Sequence, residues 1–169
     1  PFKGLFGVFN DSLPDGWGTL LTDRMLRKSG YNPFELNVLQ RLALVGTNGN
    51  GALTYHPDWV LSDDKKSIAL AQIAGEVNQI LQQEESPELS AIYEMAGSSG
   101  GARPKVTMKM GDEEWIIKFP AASDPQNIGE IEYRYSIAAR KCGIEMTETR
   151  LFEDKYFGIK RFDRMVGEK

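Results

Sequence analysis

The segment GSSGGARPK, residues 97–105, combines three glycines and two serines with a lysine, a composition suited to holding an anion. Glycine allows backbone N–H groups to converge on a phosphate, because it lets the chain approach closely and adopt positive φ angles. The hydroxyls of Ser98 and Ser99 could add further donors. A Gly-Ser cluster is equally typical of a flexible connection. The loop by itself therefore leaves phosphate binding and simple linkage as even alternatives.

Lys118 lies in an alternating run, EEWIIKF, that is typical of a β-strand. In such a strand Trp115, Ile117 and Phe119 share one face, which leaves Lys118 on the other face beside Ile116. A lysine near the end of a strand in this apolar setting can contact a phosphate. It can equally extend from a sheet edge to water. The strand pattern alone does not separate these two roles.

Glu132 supplies a carboxylate that could orient this lysine. A helix predicted over about 127–142 carries a stripe at spacings of 4, 3, 4 and 3, formed by Ile128, Glu132, Tyr135, Ala139 and Cys142. A carboxylate on a core-facing stripe costs free energy unless it is paired, and the lysine of the preceding strand is the nearest partner. If Ile131 and Ala138 form the buried stripe instead, Glu132 lies at its edge and stays solvated.

The elements that must position these residues divide the chain near residue 96. In the first part, helical spacing predicts four helices, over 13–29, 32–45, 66–84 and 86–96. The first of these would be capped by Asp11 or Ser12, with Pro14 in its first turn. The turn at 47–51 precedes ALTYHP, a short strand or extended segment. The second part predicts a hairpin, KVTMKM-GD-EEWIIKF, then a helix and two strands, TRLFED and YFGIKRF. We therefore predict an α+β fold, with a mainly helical accessory subdomain over 1–96 and a β-β-α-β-β subdomain over 97–169.

Composition restricts the classes of function. The 169 residues carry a net charge of −4 and have a pI near 5.1, which argues against direct binding of nucleic acid. No apolar run approaches the ~20 residues that a membrane helix needs. A single cysteine excludes an internal disulfide framework and suits a reducing compartment, so we expect a cytoplasmic protein. One cysteine and one histidine also argue against a zinc site. Cys142 is predicted to be a small buried hydrophobe. A start at Pro1 and an end soon after a strand predict a fragment of a longer protein.

The order of loop, lysine strand and glutamate helix is the order that protein kinases use in their nucleotide lobe. Five segments together resemble the HipA family, the bacterial serine/threonine kinases of toxin–antitoxin systems. They span nearly the whole chain: DSLPDGWGTLLTDR (11–24), GSSGGARPK, WIIKFP, EYRYSIAARKCGI (132–144) and IKRFDR (159–164). The resemblance implies a helical module packed with a kinase-N-lobe-like small antiparallel sheet and one helix like the αC helix of kinases.

The resemblance also implies a role for each matched residue. Lys118 would hold the ATP phosphates, and Glu132 would orient the lysine. The phosphate loop would comprise Ser98, Ser99, Gly100, Gly101 and Ala102. Ser98 falls where family members carry a regulatory serine that they autophosphorylate. Lys160, Arg161 and Phe162 would form the hinge, the segment that contacts adenine through backbone groups and an apolar contact.

Cofactors and partners follow from the same resemblance: ATP with Mg²⁺, a HipB-like DNA-binding antitoxin, and a protein substrate, which is an aminoacyl-tRNA synthetase in known relatives. A kinase needs an aspartate in its catalytic loop and an asparagine and an aspartate for magnesium, all after the hinge. We therefore expect the Mg²⁺ ligands in a C-terminal lobe and expect the isolated chain to be inactive. Asp163 is expected to pair with Arg161 or Arg164. Arg103-Pro104 departs from the more polar loop of the best-known members.

Two other functions compete with this interpretation. The first is a non-catalytic interaction module, truncated or split, that binds an antitoxin-like partner. A large exposed apolar surface near 151–166 would favour a fragment, and a polar surface there a complete module. The second is an anion-binding enzyme with Ser98 as nucleophile, which is disfavoured because His56 is the only histidine available as a base.

Overall fold

The computed structural model describes residues 4–62 and 66–163. The chain divides into two compact units, Pro1–Ala102 and Arg103–Lys169. Among the described residues the first unit is helical, and the second contains a four-stranded antiparallel sheet with one helix. The predicted α+β fold class is confirmed.

The first unit contains five α-helices and one 3₁₀ turn, Pro33–Glu35, within its described residues. The helices are α1 (Gly7–Asn10), α2 (Gly16–Lys28), α3 (Val38–Val45), α4 (Leu70–Leu81) and α5 (Leu89–Ala96). The α5 helix packs against both α2 and α4. The core of the first unit consists of apolar side chains at helical spacing, chiefly Trp17, Leu21, Met25, Ile73, Val77, Ile80 and Ile92.

Side chains fix the ends of several of these helices. Asn37 and Gln40 form a reciprocal capping box at the start of α3. The guanidinium of Arg24 donates to the carbonyls of Ile80 and Glu84, which satisfies acceptors at the end of α4.

The helix bounds predicted for the first unit need correction. The α2 helix begins at Gly16, after the predicted caps and after Pro14, because Asp15 has extended backbone angles. The helix expected over 66–84 is confined to Leu70–Leu81, and the segment from Asn32 splits into the 3₁₀ turn and α3. ALTYHP forms no strand; the segment is irregular.

The second unit is built from a hairpin, a helix and a second antiparallel pair. Its elements are β1 (Lys105–Met110), β2 (Glu113–Lys118), α6 (Ile128–Lys141), β3 (Thr149–Phe152) and β4 (Tyr156–Lys160). The strand order is β1-β2-β4-β3, with every neighbouring pair antiparallel. The predicted faces of β2 are observed, since Trp115, Ile117 and Phe119 are fully buried and Lys118 lies on the opposite face, partly exposed.

The buried face of α6 differs from the predicted stripe. Tyr135 is 73% exposed and Cys142 is also exposed, whereas Gly129 and Ser136 are buried. The reason is close packing of α6 on β3 and β4, for which two small residues seven positions apart provide room. A Cβ at Gly129 would overlap the carbonyl of Lys155. The prediction that Cys142 is buried is therefore wrong, and Glu132 lies near the edge of the buried face.

No helix in the ranges 4–62 and 66–163 has both the length and the apolar character needed to cross a membrane.

Candidate functional site

Lys118 and Glu132 form a direct ion pair in the second unit. Lys118 is the last residue of β2, and Glu132 lies in the second turn of α6. The Nζ atom of Lys118 is 2.9 Å from Oε2 of Glu132, and the two side chains are 34% and 19% exposed. The ammonium also lies 5.4 Å from the ring centroid of Phe157. Glu132 is thus paired rather than solvated, and the lysine is fixed while part of its surface stays open to solvent.

A second cation, Arg103, shares the carboxylate of Glu132. Its Nη1 lies 2.5 Å from Oε1 of Glu132, while Nε and Nη2 each lie 3.0 Å from an oxygen of Asp124. Asp124 in turn accepts a 2.9 Å hydrogen bond from the backbone N–H of Ala121. The four charged side chains therefore form one neutral network of two cations and two carboxylates.

The charges in this network stabilise one another. The hydrogen bond from Ala121, together with Arg103, lowers the pKa of Asp124. The hydrogen bond to Asp124 raises the pKa of the Arg103 guanidinium. Sequence reasoning identified Arg103 only as a departure from the family loop, and it missed Asp124 as a partner. The sequence did show an arginine directly after the glycine-rich loop. No local rule, however, predicts that this arginine pairs with carboxylates 21 and 29 positions further along the chain.

Backbone contacts hold the start of β1 next to the end of β2. Lys105 pairs with Lys118 in the hairpin register, and the N–H of Phe119 donates to the carbonyl of Pro104 at 2.9 Å. The backbone at Arg103, one residue before Pro104, is therefore held close to the backbone of Lys118. The hairpin, which the sequence predicts, thus places the side chains of both Arg103 and Lys118 next to Glu132.

The glycine-rich loop follows α5 in the first unit. Gly97 ends that helix with φ at +54°, a conformation that favours glycine. The hydroxyl oxygen of Ser98 accepts a 2.9 Å hydrogen bond from the backbone N–H of Asn50, whose side chain donates to the carbonyl of Ala96. The hydroxyl of Ser99 is buried and has no hydrogen-bond partner among the described residues. The loop is therefore an ordered part of its unit, with one polar group left unsatisfied.

The segment DSLPDGWG packs directly against this loop. The carboxylate of Asp15 accepts a hydrogen bond from the N–H of Gly101, and the N–H of Trp17 donates to the Gly101 carbonyl at 3.1 Å. A Cβ at Gly16 would lie 2.7 Å from the Cα of Ala102, and one at Gly18 would lie 2.6 Å from the carbonyl oxygen of Ser99. Two glycines thus permit the close approach, and a carboxylate already binds an amide of the proposed phosphate loop.

A cavity of about 710 Å³ opens beside the loop in the first unit. Its wall includes Ser98 and Gly100 together with Asp15, Arg41 and Trp59. A volume of this size suits a small ligand. All of its lining residues lie between residues 10 and 100.

The residues predicted to form the adenine hinge lie at the end of β4: Lys160 is its last residue, and Arg161 and Phe162 follow it. The backbone N–H groups of Lys160 and Arg161 donate to the carbonyls of Glu148 and Glu114, at 2.9 and 2.8 Å. The ammonium of Lys160 pairs with Glu113. Phe162 is 84% exposed. An adenine contact at Lys160 or Arg161 must therefore use groups other than these two amides.

Arg161 is anchored by its side chain. The side chain is only 7% exposed, and its Nη2 lies 2.6 Å from Asp163, as expected for Asp163 from the sequence. Nη1 lies 3.7 Å from Glu114, and the hydrogen bond to Asp163 raises the pKa of the guanidinium. Arg161 is thus a structural anchor at the end of the sheet.

Within the part of the chain that the structure describes, no group of three or more His, Cys, Asp or Glu side chains could hold a metal ion.

A strand lysine fixed by a helix glutamate is the arrangement that protein kinases use to hold ATP phosphates. Family models match two parts of the chain: residues 1–56 match the HipA N-terminal domain, and residues 97–169 match the HipA-like C-terminal domain. The chain belongs to the HipA family. No curated protein and no solved structure gives a significant match.

Proposed function

We propose that this chain carries the nucleotide-binding part of a HipA-like serine/threonine kinase, the toxin of a toxin–antitoxin pair. The kinase would transfer the γ-phosphate of ATP to a protein serine or threonine. The observation that carries this proposal is the 2.9 Å contact between Lys118 and Glu132. A lysine held by a carboxylate keeps its position, so its remaining N–H donors can contact phosphate oxygens.

The loop from Ser98 to Ala102 is proposed as the phosphate loop, on the basis of chain order and family resemblance. The unsatisfied Ser99 hydroxyl is compatible with a polar ligand. At Gly101 a phosphate oxygen would replace the Asp15 carboxylate as acceptor, which is an exchange of one anion for another. Phosphorylation of Ser98 would add a dianion next to these groups and would oppose ATP binding.

Phosphoryl transfer itself needs further residues. We propose that the catalytic aspartate and the Mg²⁺ ligands belong to a C-terminal lobe of the parent protein, so that the 169 residues alone are inactive. A HipB-like antitoxin as partner, a protein substrate and a cytoplasmic location complete the proposal. These rest on the resemblance alone.

The test is titration of the chain with Mg·ATP by calorimetry, using the wild type, Lys118→Met and the control Lys109→Met. Lys109 lies on β1 of the same hairpin, is exposed and is paired in register with Glu114. We expect saturable binding that Lys118→Met weakens at least tenfold, because a charged contact to phosphate is lost, while Lys109→Met binds like the wild type.

A failed titration is followed by the same measurement on a longer chain that continues past Lys169. Binding by the longer chain would retain the kinase proposal and show that the second lobe is needed. Absence of binding there would contradict it and favour a non-catalytic interaction module.

The exposed apolar side chains in the described residues support that module as a second candidate. In the first unit Phe6 and Phe34 are largely exposed. Among residues 151–163 Phe162 is the one exposed large apolar side chain, so this described segment lacks the large apolar surface expected of a fragment; residues 164–166 lie outside the described range. An antitoxin-like partner could cover such residues.

A further inference from the structure

The glutamate that fixes Lys118 is itself held by a second cation. Glu132 uses one carboxylate oxygen for Lys118, at 2.9 Å, and the other for Arg103, at 2.5 Å. Without the second contact, the Glu132 side chain could rotate about its terminal bond and move its charge away from the lysine. With both contacts, the carboxylate plane is set by two donors.

Arg103 is in turn restrained from two directions. Its guanidinium makes a bidentate contact with Asp124, with both distances 3.0 Å. This fork geometry is specific to arginine, since a lysine ammonium offers no matching pair of parallel donors. Asp124 is 12% exposed and is itself fixed by the Ala121 amide. The carbonyl of Pro104, the residue after Arg103, accepts a hydrogen bond from the N–H of Phe119, the residue after Lys118.

We infer that Arg103 is a positioning residue, which acts through Glu132 to hold Lys118 in the orientation needed for phosphate. The residue directly after the glycine-rich loop thereby takes part in the lysine–glutamate pair. The effect on nucleotide affinity rests on the function proposed above, whereas the restraint on Lys118 can be measured without any nucleotide.

The restraint is measured by the hydrogen exchange of the Lys118 ammonium, observed in ¹⁵N–¹H spectra of the full 169-residue chain and assigned by its loss in Lys118→Met. Three variants are compared: Arg103→Met, which removes charge and fork; Arg103→Lys, which keeps the charge alone; and the control Arg134→Met. Arg134 lies on α6, pairs with Glu130 and is 74% exposed. We expect exchange to become roughly tenfold faster in Arg103→Met, to change less in Arg103→Lys, and to stay constant in Arg134→Met.

The same variants are then titrated with Mg·ATP. Arg103→Met should weaken binding by roughly tenfold, with partial recovery in Arg103→Lys. If the exchange rates follow this order but neither the wild type nor the chain extended past Lys169 binds Mg·ATP, the positioning role stands and the proposed function is contradicted. If the wild type binds Mg·ATP and Arg103→Met changes neither exchange nor affinity, the function stands and the positioning role is overturned.

Amide spectra establish that each variant is folded. Should Arg103→Met fail to fold, Asp124→Asn replaces it, because this change weakens the hold on Arg103 without removing a cation. Faster exchange of the Lys118 ammonium in Asp124→Asn would support the role, and an unchanged rate would overturn it.

Discussion

The carboxylate of Asp15 accepts a hydrogen bond from the backbone N–H of Gly101, although the two residues are 86 positions apart. Asp15 is the N-cap residue of α2, yet no N–H of that helix donates to its side chain. The residue type that usually caps a helix is used here to hold the glycine-rich loop. This contact makes the DSLPDGWG segment part of the loop's structure.

Removing the Asp15 carboxylate should loosen the loop. We expect Asp15→Ala to lower the free energy of unfolding by about 1 kcal/mol, because Gly101 loses a charged acceptor at a solvent-accessible site. Asp15→Asn keeps an oxygen acceptor and should lose less. Urea unfolding followed by circular dichroism measures both changes. Equal stability of Asp15→Ala and the wild type would show that the hydrogen bond contributes nothing.

Two helical glycines should respond oppositely to alanine. A Cβ at Gly18 would lie 2.6 Å from the carbonyl oxygen of Ser99 and 2.7 Å from the Cβ of Pro14. We therefore expect Gly18→Ala to cost about 1–3 kcal/mol through overpacking. Gly75, in α4, is exposed, and a Cβ there would point into open space, so Gly75→Ala should gain roughly 0.5–1 kcal/mol.

Thermal and urea unfolding of the two glycine variants, measured side by side, check this contrast. A loss of similar size in both would mean that general helix effects, rather than contact with the loop, explain the result at Gly18.

Stability in acid should depend on Asp124. The hydrogen bond from Ala121 and the contact with Arg103 place the pKa of this carboxyl below its ordinary value of 3.8, so the unfolded chain binds the proton more readily than the folded chain. The stabilisation is complete above that ordinary value and is lost as the pH falls through the lower, folded value.

We therefore expect the stability difference between the wild type and Asp124→Asn to shrink as the pH is lowered below about 4, because the asparagine does not titrate in this range. Urea unfolding between roughly pH 2.5 and 6 measures the difference. Ser123→Ala, an exposed neighbour without a titrating group, should differ from the wild type by a constant amount. A pH-independent difference for Asp124→Asn would refute the expectation.

A substitution at Phe162 should affect nucleotide binding without affecting stability. Because the side chain is 84% exposed, Phe162→Ala should change the free energy of unfolding by less than about 0.5 kcal/mol. If Phe162 stacks on adenine, the same change should weaken Mg·ATP binding by about tenfold. Tyr135→Ala, which removes an exposed ring from α6, is the control and should leave the affinity unchanged. Unaltered affinity in Phe162→Ala would remove this residue from the proposed hinge.

Local patterns predicted the elements of the second unit well. The hairpin, the α6 helix and the two final strands all follow from alternation, turn residues and helical spacing, which are properties of neighbouring residues. The same patterns misplaced the start of α2, because Asp15 takes an extended conformation while its side chain contacts Gly101. Helix ends depend on such distant contacts more than helix interiors do.

The stripe that pointed to Glu132 was wrong, although the pairing inferred from it is present. Tyr135 and Cys142 are exposed, and the helix packs through Gly129 and Ser136 instead. Hydrophobicity favoured the larger residues, whereas the small distance between α6 and the sheet required small ones. The lysine–glutamate pair still forms, because Glu132 lies near the edge of the buried face of α6, within reach of Lys118 at the end of β2.

The sequence by itself determined the α+β class, the hairpin and the order of loop, lysine strand and glutamate helix, because each depends on local periodicity and turn residues. Only the tertiary structure decided that Arg103 and Asp124 complete the charge network and that Asp15 holds Gly101. These contacts join a side chain to another side chain or to a backbone amide across 21 to 86 positions of the chain. No local pattern specifies them, since a charged side chain pairs with whichever partner the packed backbone brings within reach.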